Sequence, residues 1–323
     1  MEEQMSFAIY DADETAEGLA FPALINELEL GFKEGCEVPV RHHHQIRQNG
    51  EVDSTLLLMP AWSNGTTKDQ YLGVKLVTVM PGNTARKMPG LYSTYILYNK
   101  VTGEQLAILD GNTITGRRTV ATSALASKYL SRPNSSKLLV IGAGRVASLL
   151  AEAHAATRPI RFVKVWNINP ANAEKLVSHL NALGFAAKLS ENLEADVKEA
   201  DIITSATLST EPIINGDWLQ EGTHVDLIGA FTPKMRESDD LTIKKSKVYI
   251  DTEEALDEAG DIVQPLKSGI INKTHIKATL TDLIKGNAKG RINDRDITLF
   301  KAVGTGLADL VAARLVYNSA KKR

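Results

Sequence analysis

An apolar run that ends in two closely spaced glycines is the first part of the sequence whose residue types suggest chemistry. Residues 138–147 read Leu-Leu-Val-Ile-Gly-Ala-Gly-Arg-Val-Ala, which is a strand-like segment followed by the pattern G-x-G-x-x-A. Gly142 permits a tight turn, Gly144 lets the backbone approach a pyrophosphate, and the small Ala147 lets a following helix pack closely on the strand. A second apolar run follows at residues 162–166. In this context the loop predicts dinucleotide binding rather than a glycine turn without a nucleotide.

The residue at the end of the second strand bears on which nucleotide is bound. A carboxylate there would accept a hydrogen bond from the ribose 2′-OH of NAD and would repel a 2′-phosphate. The chain instead continues Trp166-Asn167-Ile168-Asn169-Pro170, without an acid, and Arg145 and Lys164 lie in segments that could approach the phosphate. We therefore expect NADPH, with NADH as the alternative. Capping of the following helix is the other role open to Asn167.

Lys75 stands in the middle of the apolar run Gly-Val-Lys-Leu-Val-Thr-Val at residues 73–79. A lysine is out of place there unless its ammonium reaches a cavity or a partner. A desolvated ammonium has a lowered pKa and can pass a proton near neutrality. The alternative is an outward-facing lysine on an edge strand.

Two other features of the sequence carry no chemistry in this interpretation. The run His42-His43-His44 invites a metal site, but consecutive residues of an extended chain point apart, and no second cluster of ligands is evident. We therefore expect no metal. Cys36 is the one cysteine, which excludes an intrachain disulfide and argues against a redox role.

Composition excludes several classes of protein. The 37 basic residues nearly balance the 39 acidic ones, for a formal charge of −2, which argues against nucleic-acid and membrane-surface binding. The start of the chain does not resemble a signal peptide, and no apolar stretch is long enough to span a bilayer, so a soluble, cytoplasmic protein is expected. At about 150 residues per domain, the 323 residues indicate two domains.

The patterning of apolar residues predicts an α/β protein with two differently built halves. The first half has a helix at residues 21–32, strands at 55–59, 71–80, 91–98 and 105–109 in an antiparallel or mixed sheet, a turn at 110–112 and a helix at 113–130. Residues 131–134 form a break. After it, strands at 137–141 and 162–166 lead to helices from about 145 and 171, and further strands at 202–204, 224–228 and 248–250 precede a last helix at 306–319. Strands that alternate with helices predict a parallel sheet.

Several motifs in the same order resemble those of the ornithine cyclodeaminase/mu-crystallin family. They are Pro39-Val40-Arg41, Leu58-Met59-Pro60, and residues 73–77, 110–111, 114–119, 142–147 and 300–304. The resemblance implies a substrate and dimerisation domain of the α+β class at residues 1–130, rejoined by a C-terminal helix at 305–323. It also implies a Rossmann dinucleotide-binding domain at 131–304 and a homodimer. Residues 41–44, 57–62 and 229–233 look most like the bacterial Δ1-pyrroline-2-carboxylate reductases, which reduce a cyclic imine acid to L-proline in the catabolism of trans-3-hydroxy-L-proline.

The same resemblance implies roles for individual residues. Arg41, Lys75 and Arg118 would bind the substrate, and arginine suits a carboxylate because its fork binds both oxygens. Lys75 would also be the catalytic residue, although carboxylate contact and proton donation remain alternatives. The residues implied in cofactor binding are Thr94, Arg118, Gly142, Gly144, Arg145, Val146, Asn167, Thr207 and Gly229. A five-membered and a six-membered imine ring (pyrroline or piperideine) differ by one methylene and are not distinguished.

Three other activities of the family remain as rivals: ornithine cyclodeamination, alanine dehydrogenation and non-catalytic binding, as in mu-crystallin. Cyclodeaminases of the family carry Gly-Gly-Asp where this chain has Gly229-Ala230-Phe231. Phenylalanine can neither accept a proton nor pair with an ammonium, so we expect neither a cyclodeaminase nor an alanine dehydrogenase. The alternative is that another acid, such as Asp226 or Glu237, substitutes. The presence of Arg41, Lys75 and Arg118 argues against a purely binding protein.

Overall fold

The computed structural model describes residues 7–64 and 70–321, which fall into two compact units. The first unit runs to Arg118 and resumes at Thr305, and the second comprises Thr119–Gly304. The first division lies inside a helix, earlier in the chain than the break at 131–134. Among the described residues, no helix combines the length and the apolarity needed to cross a membrane.

The described part of the first unit is built on a seven-stranded sheet, which is mixed, one of the two arrangements that the sequence predicts. Its strands are β1 (Ala8–Tyr10), β2 (Cys36–Glu37), β3 (His42–Ile46), β4 (Ser54–Ser63), β5 (Tyr71–Val79), β6 (Leu91–Asn99) and β7 (Gln105–Asp110). They lie in the order β1-β7-β6-β5-β4-β2, and β3 also pairs with β4. Only the β1–β7 pair among these is parallel. The sequence patterns missed β1, β2 and β3, which are short or fully exposed.

The described helices of this unit are α1 (Ala12–Glu17), α2 (Phe21–Glu34), the start of α3 (Gly111–Leu130) and the C-terminal helix α11 (Gly306–Ala320). Of these, α1 contacts β7, and α11 contacts β4, β5 and β6. The predicted apolar stripe of α2, from Phe21 to Phe32, is buried, and the helix ends at Gly35 with a φ of 77°. In β5 every second residue from Tyr71 to Val77 is buried. Because α11 packs on α2 and on β4, β5 and β6, this face of the sheet forms the core.

The turn predicted at residues 110–112 is wrong, because β7 runs directly into α3. The Asp110 Oδ1 atom accepts a hydrogen bond from the Thr113 backbone N–H at 2.6 Å, so the aspartate caps the helix. A Cβ on Gly111 would lie 2.7 Å from the Ser93 carbonyl carbon, which explains the glycine. Asp110 and Gly111, which suggested a turn, instead lie where the strand β7 passes directly into the helix α3.

The second unit confirms the predicted parallel sheet. Its described strands are β8 (Lys137–Ile141), β9 (Phe162–Trp166), β10 (Ala186–Leu189), β11 (Ile202–Ser205), β12 (His224–Leu227), β13 (Lys247–Ile250), β14 (Ile276–Thr279) and β15 (Thr298–Lys301). Their order is β10-β9-β8-β11-β12-β15-β13-β14, with every pair parallel. Apolar side chains of the central strands, such as Ile141, Ile203 and Leu227, are completely buried in the core of this unit.

Short helices connect these strands. They are α4 (Leu150–Ala155), α5 (Pro170–Ala182), α6 (Leu193–Glu199), α7 (Asp240–Lys245), α8 (Ala255–Glu258), α9 (Gly260–Lys267) and α10 (Leu280–Lys285). The helix predicted from about Arg145 begins later: a 3-10 turn covers Ala147–Leu149, and α4 follows it. After the glycine loop, the chain thus forms a 3-10 turn before the α-helix begins.

Candidate functional site

Three charged side chains of the first unit meet in its core. Lys75 projects from β5 onto the buried face, and its Nζ donates to Asp309 Oδ2 at 2.6 Å. Arg118, in α3, donates through Nε to Asp309 Oδ1 at 2.7 Å. The exposed fractions of Lys75, Arg118 and Asp309 are 2%, 5% and 0%. We call these three residues the Asp309 cluster. The outward orientation considered for Lys75 is wrong, since β5 is an interior strand.

Burial sets the protonation of the Asp309 cluster. Burial lowers the pKa of Lys75 to about 8, and the positive charges of Arg118 and Arg41 lower it as well. The negative charge of Asp309 acts in the opposite direction and raises it. Burial alone would raise the pKa of Asp309, but Arg118 and Lys75 hold it below its ordinary value. The cluster therefore contains a firmly ionised carboxylate beside an ammonium that can release its proton near neutrality.

Asp309 is the member of this cluster that the sequence reasoning missed. It lies in the first turn of α11, within the apolar run Gly-Leu-Ala-Asp-Leu-Val-Ala-Ala at residues 306–313. The available signal was the same one that singled out Lys75, a charged residue among apolar neighbours.

Arg41 and Thr94 have different relations to this cluster. Arg41 is half-buried just before β3, and its charge acts on Lys75. Thr94 is exposed on β6, whereas its neighbour Tyr95 pairs across the strands with Lys75. Because successive side chains of a strand point to opposite faces, the structure does not bring Thr94 together with Lys75.

In the glycine loop of the second unit, one glycine allows a tight turn and another leaves room for a ligand, as dinucleotide binding requires. Gly142 follows β8 with a φ of 109°, and a Cβ there would lie 2.7 Å from the Ala206 carbonyl oxygen. At Gly144, by contrast, no atom of the described residues lies within 4 Å of an added Cβ. Packing thus explains Gly142 but not Gly144, and the open space at Gly144 fits close approach of a ligand. Arg145 is exposed and Val146 half-buried beside it.

The end of β9 is occupied by neutral polar side chains. Asn167 donates through Nδ2 to the Asn169 carbonyl oxygen at 2.9 Å, and Asn169 caps α5 by accepting from the Ala171 N–H at 3.1 Å. The helix-cap role considered for Asn167 is therefore wrong. Lys164 forms an ion pair with Asp196 of α6 at 3.4 Å, so the structure does not support its approach to a 2′-phosphate.

Thr207 and Gly229, which follow β11 and β12, are brought together by the carboxylate of Glu237. It accepts hydrogen bonds from the Thr207 N–H at 2.7 Å and from the Gly229 N–H at 2.6 Å. Asp226 accepts from the Thr204 hydroxyl at 2.7 Å. Because both acids are completely buried and engaged, neither takes the place of the missing acid at Phe231, which is 46% exposed.

The histidine run forms part of β3, whose described side chains are exposed and alternate in direction along β4. Over residues 7–64 and 70–321, no group of three or more His, Cys, Asp or Glu side chains could hold a metal ion.

Comparison with known proteins decides the family. The sequence profile of the ornithine cyclodeaminase/mu-crystallin family matches residues 8–323. The chain belongs to this family. The Δ1-pyrroline-2-carboxylate reductase of Colwellia psychrerythraea is 36% identical over 313 residues, which cover 95% of this chain and 98% of that enzyme.

Two solved structures match along the entire fold. The Δ1-pyrroline-2-carboxylate reductase of Thermococcus litoralis, in complex with NADH and L-proline, has a TM-score of 0.91 and 34% identity, covering 98% of both chains. A dimeric archaeal alanine dehydrogenase with bound NAD has a TM-score of 0.88 and 29% identity, covering 98% of this chain and 96% of the other.

Proposed function

We propose that this protein reduces the cyclic imine Δ1-pyrroline-2-carboxylate to L-proline with NAD(P)H. It is an oxidoreductase of C=N bonds that uses a nicotinamide dinucleotide. The observation that carries the proposal is the Asp309 cluster, in which a buried ammonium with a pKa of about 8 lies beside arginines. Similarity to a reductase that holds NADH and L-proline supports it.

The residues of the first unit fit the demands of the substrate. An imine acid of this type carries a carboxylate next to the C=N carbon, and Arg41 and Arg118 supply the positive charge that binds it. Lys75 holds a proton at Nζ and passes it to the imine nitrogen as the C=N bond is reduced. Asp309 holds Lys75 and Arg118 in place through its two oxygens.

The residues of the second unit fit the cofactor. When bound, the reduced nicotinamide dinucleotide supplies the hydride that is added to the imine carbon. Gly142, Gly144, Arg145 and Val146 would hold its phosphates. Asn167 carries no negative charge, so it would tolerate either a ribose hydroxyl or a 2′-phosphate beside it. NADPH is the proposed cofactor, with NADH as the alternative. Thr207 and Gly229 complete the set.

Several finer assignments belong to the same proposal. The enzyme would act in trans-3-hydroxy-L-proline catabolism, in the cytoplasm and as a homodimer. A six-membered imine acid is a further candidate substrate, because one methylene alters binding by only about 1–3 kcal/mol. Cyclodeamination is not proposed, since Phe231 stands where that activity would need an acid, and Asp226 and Glu237 are engaged elsewhere.

A substrate panel tests the proposal. Purified protein is assayed for NADPH and NADH oxidation with five- and six-membered cyclic imine acids and with pyruvate plus ammonia, and for ammonia release from L-ornithine with catalytic NAD. We expect the largest kcat/KM with Δ1-pyrroline-2-carboxylate. Activity confined to pyruvate plus ammonia, or rapid ammonia release from ornithine, would overturn the proposal.

A further inference from the structure

The carboxylate of Glu237 accepts five hydrogen bonds from other residues of the second unit. Its Oε1 atom accepts from the Ser205 hydroxyl at 2.6 Å, from the Thr207 N–H at 2.7 Å and from the Thr207 hydroxyl at 2.9 Å. Its Oε2 atom accepts from the backbone N–H groups of Gly229 at 2.6 Å and Ala230 at 3.3 Å. The side chain is completely buried, so it has no access to bulk solvent.

These donors belong to two separate strand ends. Ser205 is the last residue of β11, Thr207 follows it, and Gly229 follows β12. In an open parallel sheet, the carboxyl ends of the strands form the edge at which nucleotides bind. One oxygen of Glu237 therefore fixes the end of β11, and the other fixes the end of β12.

The space between these two strand ends is too tight for any side chain. A Cβ on Gly229 would lie 2.0 Å from the Thr207 carbonyl oxygen and 2.6 Å from Glu237 Oε1. Glycine at 229 and the carboxylate at 237 are therefore parts of the same arrangement. Moving either would shift Thr207.

The backbone of Glu237 is itself held by a buried acid. Asp261 of α9 accepts from the Glu237 N–H at 3.0 Å, and its other oxygen lies 3.5 Å from the Nζ of Lys301, at the end of β15. We call Glu237, Asp261 and Lys301 the Glu237 cluster. Burial raises the pKa of Glu237, whereas the charge of Lys301 lowers it. The cluster therefore links three strand ends through buried charges.

We propose that Glu237 is a positioning residue for the dinucleotide: it sets the backbone of Thr207 and Gly229 at the edge of the sheet where the cofactor binds. This inference rests on the proposed function. A carboxylate is required because only acceptor atoms face the donors of both strand ends. The amide of a glutamine would direct an N–H₂ group at backbone N–H donors on one side.

The test compares Glu237→Gln with a matched control at the opposite edge of the same sheet. Asp201 accepts from the Ser136 and Lys137 N–H groups at 2.8 and 3.0 Å, at the start of β8, so Asp201→Asn also removes a carboxylate that holds backbone. Binding of NADH and of NADPH is titrated by cofactor fluorescence without any imine. We expect Glu237→Gln to weaken binding about tenfold or more, and Asp201→Asn to change it less than about twofold. The KM for the imine at saturating cofactor should stay within about threefold of wild type in both.

A second variant covers the case in which Glu237→Gln does not fold. Ser205→Ala removes a single one of the hydrogen bonds to Glu237, and we expect it to weaken cofactor binding about two- to fourfold. Wild-type affinity in Glu237→Gln, or in Ser205→Ala if the former is unfolded, would overturn the inference and leave the proposed function intact. Equal weakening by Asp201→Asn would also overturn it, by showing a general effect of destabilisation. A wild-type protein that binds neither nucleotide would overturn the proposed function, and the inference with it.

Discussion

The Asp309 cluster and the Glu237 cluster differ in their numbers of buried acidic and basic side chains. The first has one acid and two bases, and the second has two acids and one base. In the first, the single carboxylate of Asp309 faces Lys75 and Arg118, with Arg41 nearby. In the second, two carboxylates share the ammonium of Lys301, and Glu237 is otherwise satisfied by neutral donors. An excess of buried positive charge creates a site for an anion, whereas carboxylates bonded to backbone N–H groups fix the chain. Charge balance thus distinguishes the proposed substrate site from the proposed positioning residue.

The largest expected effect comes from removing the ammonium of the Asp309 cluster. Lys75→Met keeps the length of the side chain but holds no proton, so we expect kcat/KM for the imine to fall about a thousandfold, within the range of a general acid. Lys188→Met, at an exposed position of β10, is the control and should retain wild-type activity. A loss of less than tenfold in Lys75→Met would show that Lys75 only contributes charge.

Removal of the ammonium of the Glu237 cluster should have a different signature. Lys301→Met leaves two buried carboxylates without their cation, and we expect the free energy of unfolding to fall by about 3 kcal/mol. Urea unfolding measures this loss. The KM for the imine should not change, because the proposed substrate site lies in the other cluster. An altered imine KM with unchanged stability would reverse the roles that we assign to the two clusters.

Asp309→Asn tests the electrostatics of the first cluster. In the wild type, Lys75 must be protonated to act as an acid, so log kcat/KM should fall with unit slope above a pH of about 8. Asp309 raises the pKa of Lys75, and its neutralisation should move this limb to lower pH by about one unit. Full pH profiles of both proteins provide the measurement. A limb that does not move would mean that another group titrates.

The smallest effect is expected at the nucleotide side, outside both clusters. Asn167→Asp places a carboxylate at the end of β9, where it would repel a 2′-phosphate, and the ratio of kcat/KM for NADPH to that for NADH should fall about fivefold. Asn169→Asp adds the same charge two residues away and still caps α5, so it is the matched control. An equal shift in both variants would show a general charge effect.

Regular patterns in the sequence were sufficient for the central strands and the long helices near these sites, but they missed α9 and β15, which carry Asp261 and Lys301. The apolar spacing from Phe21 to Phe32 predicts α2, and the bounds predicted for β8 and β9 agree with the structure. The start of α4 was misplaced because the backbone after Gly144 first forms a 3-10 turn. The 110–112 turn was wrong because a capping aspartate and a turn aspartate look alike in sequence.

The two clusters were only partly predictable, and the reason is distance along the chain. Lys75 was identified as a charge in an apolar strand, but its partner Asp309 lies 234 residues later. Glu237 was considered only as a substitute acid, and its bonds to Ser205 and Thr207 arise from the pairing of β11 with β12. Sequence patterns reveal local periodicity, whereas partners of buried charges are set by tertiary packing.

Gly144 has a consequence for how this protein would respond to selection. No described atom lies near a Cβ at this position, and its φ is not in the left-handed region. Alanine there would restrict the unfolded chain and stabilise the free protein by about 0.4–1 kcal/mol. Selection for thermal stability alone would therefore favour replacing this glycine, whereas selection for the proposed nucleotide binding would favour keeping it. Adding one methyl group at Gly144 would therefore increase the stability of the free protein and weaken its proposed binding of the nucleotide.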